Sequence, residues 1–351
     1  MRAPRDWGRP PVALIGAFPP PVGGQAIYNT RLVEELRARG IRVAEVDVAS
    51  RSPGEGVPFT RWKLTWHLLM KRFSIYHLTA SDSRMLGFEL IVALASIVRR
   101  TPFVYNILAG RFAARMAGYS WFHRALLCWS LRRASRILLS NQAMASELQR
   151  LPVGATSRVE VVGCRLPLGI EPEEDHELLE FLKGGGPAIV AVGALRMVYG
   201  FDLLARACTI LTARGLRPHL LVIASGTAEP DAQLALDGAV RESENGWPMV
   251  VRRDVDRACV LGAIRAATVL ARPTRADGDS LSIHEAQTLG VPVVASDAAP
   301  RPPGVVLHRS EDAASLAEAI VRACRIPREP RIEDATLVES VVACYRSVCA
   351  G

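Results

Sequence analysis

The chain has 351 residues, more than one hydrophobic core usually serves, so two domains are expected. Hydrophobic residues make up 49% and charged residues 22%, an ordinary globular balance, and no apolar run approaches the roughly 18–20 residues needed to cross a bilayer. The net charge of +8 is unevenly placed: residues 1–170 carry 24 Lys/Arg against 10 Asp/Glu, and residues 171–351 carry 19 against 25. The basic half suits an anionic surface or phosphate groups. Nucleic acid is not expected, because the basic residues come without an interleaved aromatic groove or a known motif. The start, "MRAPRDWGRPP", has no apolar signal core, and the seven scattered cysteines form no C-x-x-C pair, so the reading is a cytoplasmic protein without a disulfide framework or zinc site.

"VALIGAF" reads as a strand buried on both faces. "PPPVGG" is a loop ending in Gly23 and Gly24, "AIYNTRLVEELRARG" has helical apolar spacing with Gly40 as its stop, and "IRVAEVDV" is the next strand. Strand, helix, strand predicts a parallel sheet. The alternation continues through "FSIYHLTAS", "SRMLGFELIVALASIVRR", "PFVYNIL", "SRILLSNQAMASELQR" and "VEVVGCRLP". "GIEPEEDHELLEFLKGGGP" is acidic, ends in glycines, and reads as the junction. The pattern then restarts with "PAIVAVGAL", "GFDLLARACTILTARG", "PHLLVIASG", "AQLALDGAVRES", "MVVRRD", "RACVLGAIRAA", "TVLARPT" and "VPVVAS" before two closing helices. The expected organisation is an N-terminal Rossmann-like domain over 1–170, a second over 171–330, and a helix within 331–351 packing back on the first.

Two loops carry candidate chemistry. Glycines after a first strand let backbone approach a ligand, so Gly23 and Gly24 can face an anion, although Gly-Gly after a strand is more often just a tight turn. In "RPTRADGDSLSIHEAQTLGVPVVASD", Asp277 stands in a loop and Glu285 one turn into a helix, with helix-start amides near Ser280 and Leu281 between them. Loops after strands in an open α/β sheet face the ligand crevice. A carboxylate at Glu285 can accept hydrogen bonds from vicinal hydroxyls, and an anion site between two hydroxyl-binding acids describes a nucleotide-sugar. The plain alternative is helix capping by Asp279 or Ser280 with a solvated Glu285.

"PTRADGDSLSIHEAQTLGVPVVAS" resembles the retaining glycosyltransferases of family 4, which have the two-domain GT-B fold: an acid, seven residues, Glu-Ala, then Gly-x-Pro-Val-Val-Ala-Ser. "PPPVGG", "VGALRMVYGFDLLARA" and "LLVIASGT" resemble further family segments. The resemblance implies two doubly wound domains facing a central cleft. It implies a nucleotide-sugar donor bound by the second domain and a saccharide or lipid-linked acceptor bound by the first, with a role in surface polysaccharide or glycoconjugate assembly. It places Glu285 on the donor ribose and Asp277 on the transferred sugar, assigns Gly193, Gly278, Ser280 and Leu281 to the donor, and sets Gly23 and Gly24 at the cleft. His77 resembles a cleft-facing His common in the family and is, with Asp277, a candidate catalytic residue, a core histidine satisfied by its neighbours being the equal alternative. No cofactor or metal is expected, the nucleotide-sugar being a substrate. The sequence departs from the pattern in having Asp277 for the usual Glu, Ala194 and Tyr199 where relatives carry the Arg and Lys that neutralise the diphosphate, and Asn106 where many have His. Arg196 is a nearby substitute. Three other readings remain: a GT-B scaffold that has lost catalysis, a nucleotide-sugar epimerase, and a metal-binding D-x-D at Asp277–Asp279 as in single-domain GT-A enzymes.

The basic half contains two mixed stripes. "FTRWKLTWHLLMKRF" places Trp62, Trp66, Leu69 and Phe73 at helical spacing among Arg61, Lys63, Lys71 and Arg72, and "GYSWFHRALLCWSLRRASR" repeats the mixture with Trp121, Phe122, Trp129, Arg132 and Arg133. Such stripes either pack into the core or lie on an anionic membrane surface, and the concentration of charge favours peripheral membrane binding.

Overall fold

The computed structural model describes residues 10–20, 23–48, 60–80, 85–108, 110, 112–151, 158–226, 228–243, 246–331 and 336–349. Pro21 and Val22 of the first glycine loop, and Phe59 at the start of the first mixed stripe, lie outside them. The chain divides into two compact units: residues 1–166 together with 334–351, and residues 167–333.

The first unit runs β1 (Val12–Gly16), α1 (Gly24–Ala38), β2 (Val43–Asp47), α2 (Arg61–Met70), β3 (Ile75–Ala80), α3 (Leu86–Arg99), β4 (Phe103–Ile107), α4 (Phe112–Ala117), α5 (Trp121–Arg133), β5 (Arg136–Leu139), α6 (Gln142–Gln149) and β6 (Val159–Val161). Its six strands pair in parallel in the order β2-β1-β3-β4-β5-β6. Alternation along the strands divides the core. Ala13, Ile15, Tyr76 and Leu78 meet Leu64, Leu68, Val92, Leu127 and Leu131 from α2, α3 and α5. Val12, Leu14 and Ile75 face the other way, onto Leu32 and Leu36 of α1 and onto Val338, Val341 and Tyr345 of α13 (Thr336–Cys349). The closing helix thus completes the core of the first unit.

The second unit runs α7 (His176–Leu182), β7 (Ala188–Ala194), a 3-10 turn Met197–Tyr199, α8 (Phe201–Ala213), β8 (His219–Ser225), α9 (Pro230–Ser243), β9 (Met249–Arg253), α10 (Arg257–Ala266), β10 (Val269–Arg272), α11 (Leu281–Thr288), β11 (Val293–Ser296), β12 (Val306–His308) and α12 (Ala313–Ala323). Its parallel sheet has the order β12-β11-β10-β7-β8-β9. The segment read as a bare junction holds α7, capped by the Asp175 carboxylate and buried through Leu178 and Leu182. In each sheet the strand order reverses beside the first strand of the unit, between β1 and β3 and between β7 and β10. Among the described residues, no helix is long and apolar enough to cross a membrane.

Candidate functional site

Ligands of open parallel sheets bind outside the carboxyl ends of the strands, where the order reverses. In the second unit that point lies between β7 and β10, and the loops following these strands are tied together. The Arg275 amide donates to Val198 O at 2.8 Å. Gly200, at φ +70°, lies so close to Pro273 that a Cβ there would fall 2.1 Å from its carbonyl oxygen. Arg275 also clasps both carboxylate oxygens of Asp202 at 2.8 Å, fixing the loop to the start of α8.

Asp277 sits in this frame as an occupied carboxylate. Arg272 donates to it through Nε and Nη2 at 2.9 and 3.0 Å, Arg301 through Nη1 at 2.7 Å, Thr274 through Oγ1 at 3.3 Å and Gly278 through its amide at 3.1 Å. Burial pushes its pKa up, but the two guanidiniums outweigh burial and hold it at about 2. Both oxygens of Asp277, the residue expected at the transferred sugar, are engaged with the protein in this arrangement. The carboxylate instead organises two arginines. Arg301 is further bonded to Ser296 O, Ser296 Oγ and Thr274 Oγ1, and Arg272 to Val192 O at 3.1 Å. Two cations on one anion leave a net positive charge at the strand ends.

Tyr199 belongs to the same cluster. The Arg272 guanidinium stands 4.9 Å above its ring. The ring occupies the space beside Gly193, where a Cβ would lie 2.1 Å from Tyr199 Cδ1. Gly193 thus fulfils a packing requirement, and Ala194 ends β7. Arg196, expected to supply charge to the donor, is bonded instead to Glu229 at 2.7 Å on the surface. Arg272 and Arg301 escaped the sequence reading. A signal for the first was present, an arginine closing the apolar strand "TVLAR", whereas Arg301 stands in a Pro-rich loop with no pattern around it.

Helix α11 begins three residues after Gly278. Ser280 is its N-cap in extended geometry, but its hydroxyl bonds to Ser282 Oγ at 3.1 Å and caps no amide, so the start of the helix presents its positive end without a side-chain cap. Glu285 lies in its second turn, its side chain only 6% exposed, with Arg257 Nη1 bonded to Oε1 at 2.5 Å. It is not the solvated carboxylate of the plain alternative. His284 Nε2 and Asp279 Oδ1 pair at 2.6 Å, drawing the Asp279 carboxylate onto the helix. Gly193, Asp277, Gly278, Ser280, Leu281 and Glu285 therefore share the carboxyl edge of one sheet, while Arg196 turns to Glu229.

In the first unit, Gly23 is the extended N-cap of α1 and Gly24 its first residue. A Cβ at either would meet no atom within 4 Å, so the space over this loop is open. The start of α1 is fixed to the strand ends by Gln25 Nε2 on Thr79 O at 2.9 Å and Asn29 Nδ2 on Ala17 O at 2.8 Å. His77 is corrected from a cleft-facing group to a core residue. It is the third residue of β3, not its end, and alternation turns it toward α13, where Nδ1 meets Tyr345 Oη at 2.5 Å. It is fully buried, and desolvation lowers its pKa to about 3, so the ring is neutral and sealed from solvent. Asn106 is likewise buried, donating to Tyr28 Oη at 2.9 Å.

Residues 186–325 match the family model described as glycosyl transferases group 1, a stretch containing the whole cluster around Asp277 and Glu285. No curated protein matches the chain. Solved structures do match over nearly its full length. Sucrose-phosphate synthase from Thermosynechococcus elongatus is 20% identical, with a TM-score of 0.66 and 97% of each chain covered. Anabaena HepE in complex with UDP-glucose is 15% identical, with a TM-score of 0.65, 97% of this chain and 94% of that one covered. The α,α-trehalose 6-phosphate synthase from Burkholderia multivorans is 13% identical, with a TM-score of 0.68 and 97% of each covered. The chain shares with them the GT-B fold of two Rossmann-like units, each with a parallel six-stranded sheet.

Proposed function

We propose that this protein is a glycosyltransferase that binds a nucleotide-sugar on its second unit and transfers the sugar, with retention of anomeric configuration, to a hydroxyl of a saccharide or lipid-linked acceptor. The observation that carries the reading is the position of α11: its uncapped start and the buried Glu285 stand at the carboxyl edge of the second sheet, inside the segment that matches the group 1 family. Glu285 accepts from the ribose hydroxyls while Arg257 orients it. The amides at Leu281 and Ser282, with the net positive charge of Arg272, Arg301 and Asp277 behind them, stabilise the departing diphosphate. Ala194 and Tyr199 replace side chains that carry this charge in relatives, and Arg272, stacked on Tyr199, restores a cation beside them. The reaction proceeds without a metal, and its product enters surface polysaccharide or glycoconjugate assembly.

A UDP-sugar is the first donor to test, since HepE is seen with UDP-glucose. Thermal unfolding with UDP, GDP and ADP identifies the nucleotide: a ligand at about 100 times its dissociation constant adds roughly 2.7 kcal/mol. Product analysis by NMR then reads the anomer, and inversion, or loss of activity in EDTA, refutes the mechanism. The second reading, a GT-B binding protein without catalysis, is favoured by one observation: Asp277 and Arg196 are both engaged with protein partners. Nucleotide binding without turnover on any sugar nucleotide supports that reading.

A further inference from the structure

Helices α2, α3 and α5 lie side by side on one face of the first sheet and send Leu64, Leu68, Val92, Leu127 and Leu131 into the core. A surface helix so packed ordinarily turns polar residues outward. These three turn large apolar residues outward as well. Trp62 is 75% exposed, Trp66 58% and Trp121 79%, and Phe122, Leu94 and Val98 are exposed beside them. Of thirteen exposed large hydrophobic residues among those described, eight stand on these three helices. The first mixed stripe is thereby split: Phe73 lies beyond the end of α2 and is buried, whereas Trp62 and Trp66 face outward and stack on each other, centroids 6.5 Å apart.

The charge on this face has one sign. Lys63, Lys71 and Arg72 on or just beyond α2, Arg99 and Arg100 at the end of α3, and Arg133 at the end of α5 are all exposed. Residues 60–133 contain twelve Lys/Arg and only two acids, Asp82 and Glu89. Glu89 is buried against the Tyr105 hydroxyl. Asp82 lies outside the described residues. A second copy of the chain packed face to face across a two-fold axis would set basic residues against basic residues, which opposes association.

We propose that this face of α2, α3 and α5 docks on an anionic phospholipid bilayer, with the tryptophans and Phe122 entering the headgroup region and the basic residues meeting lipid phosphates. Indole rings settle at the boundary between hydrocarbon and water. Each basic residue near an anionic surface contributes roughly fivefold in affinity and loses most of that to screening salt. The N-terminal ends of crossover helices lie at the carboxyl edge of the strands they precede or follow, so Trp62, Trp121 and Phe122 flank the edge that also carries Gly23 and Gly24. Docking would lay the length of α2, α3 and α5 along the bilayer, with the tryptophans toward the carboxyl edge and Lys71, Arg72, Arg99, Arg100 and Arg133 toward the amino edge, and so bring the carboxyl edge beside the membrane, where a lipid-linked acceptor resides. Donor binding on the second unit is a separate property and holds or fails separately.

The test is co-sedimentation of the full chain with vesicles. Mixed phosphatidylglycerol and phosphatidylcholine vesicles are expected to pellet the protein at low salt, with at least tenfold weaker binding in about 0.5 M NaCl or with phosphatidylcholine alone. The variant Trp62→Ser/Trp66→Ser/Trp121→Ser should bind at least tenfold more weakly while keeping its circular dichroism and unfolding temperature, since these side chains are exposed. Leu234→Ser, an exposed apolar residue of the second unit, should bind as the unaltered chain does. The proposal is overturned if the protein stays in the supernatant at low salt, if neutral vesicles bind it equally, or if the triple variant binds unchanged. A lipid-free dimer that the triple variant abolishes would also overturn it, assigning the face to a second copy of the chain.

Discussion

Replacing Asp277 with asparagine keeps the shape of the side chain and removes the anion between Arg272 and Arg301. The folded chain holds this carboxyl at about 2, against an ordinary value near 3.9, a gap worth about 2–3 kcal/mol. Removing one partner of a buried ion pair costs about 3–5 kcal/mol, because the remaining charges lose their compensation. For Asp277→Asn we therefore expect about 3 kcal/mol of destabilisation at pH 7. In a unit of this size, 1 kcal/mol shifts the midpoint by about 2–4 °C, so the drop should be roughly 6–12 °C. The pH dependence has a definite sign. A carboxyl lowered on folding contributes fully above about pH 4 and loses its contribution as pH falls toward 2, so the two proteins should converge in that window. Urea unfolding at pH 7 and acid unfolding measure both effects. A difference below about 1 kcal/mol at pH 7, or parallel acid profiles, refutes the account. Unchanged stability with abolished transfer would return Asp277 to direct contact with the substrate.

If Glu285 accepts from the ribose as proposed, Glu285→Gln should lower donor affinity roughly 10–150-fold by calorimetry, an expected loss of about 1.5–3 kcal/mol; unchanged affinity would mean that Glu285 serves Arg257 alone. Gly193→Ala forces a methyl into the Tyr199 ring and should cost about 1–3 kcal/mol, recovered at least in part by adding Tyr199→Ala; thermal unfolding of the single and double variants decides this. His77, held near 3 in the fold against about 6.5 unfolded, stabilises the protein above pH 6.5 and loses its contribution as pH falls toward 3. Between pH 7 and 5 the unaltered chain should lose about 2 kcal/mol through this group, and His77→Gln should not show that share of the loss in urea unfolding.

The alternation of buried strands and amphipathic helices made most of both units legible, because period and length are local properties of the sequence. Helix α7 was hidden in an acidic, glycine-ended stretch, where "HELLEFL" offers only two turns. Strand β12 is three residues long with Leu307 exposed, too short for any period. The segment 273–296 identified its residues through spacing, yet the state of their side chains depended on partners far along the chain. Asp277 is claimed by Arg301 and Glu285 by Arg257, 24 and 28 positions away. His77 misled for the same reason, since Tyr345, which fills the space beside its ring, lies 268 positions on. The tryptophan stripes were ambiguous because spacing tells which residues share a helix face, not whether that face is covered.

The return of α13 to the first unit makes the order of synthesis matter. Residues 1–166 leave the ribosome first, but the side of their sheet that bears Val12, Leu14 and Ile75 lacks Val338, Val341 and Tyr345 until the whole of residues 167–333 has been translated. The second unit is continuous and can close as soon as it emerges. The unit begun first is therefore the one finished last, and during the interval that apolar strip lacks its cover. A ribosome that stalls after residue 333, or a protease that cuts between 333 and 334, leaves the second unit whole and the first without part of its core.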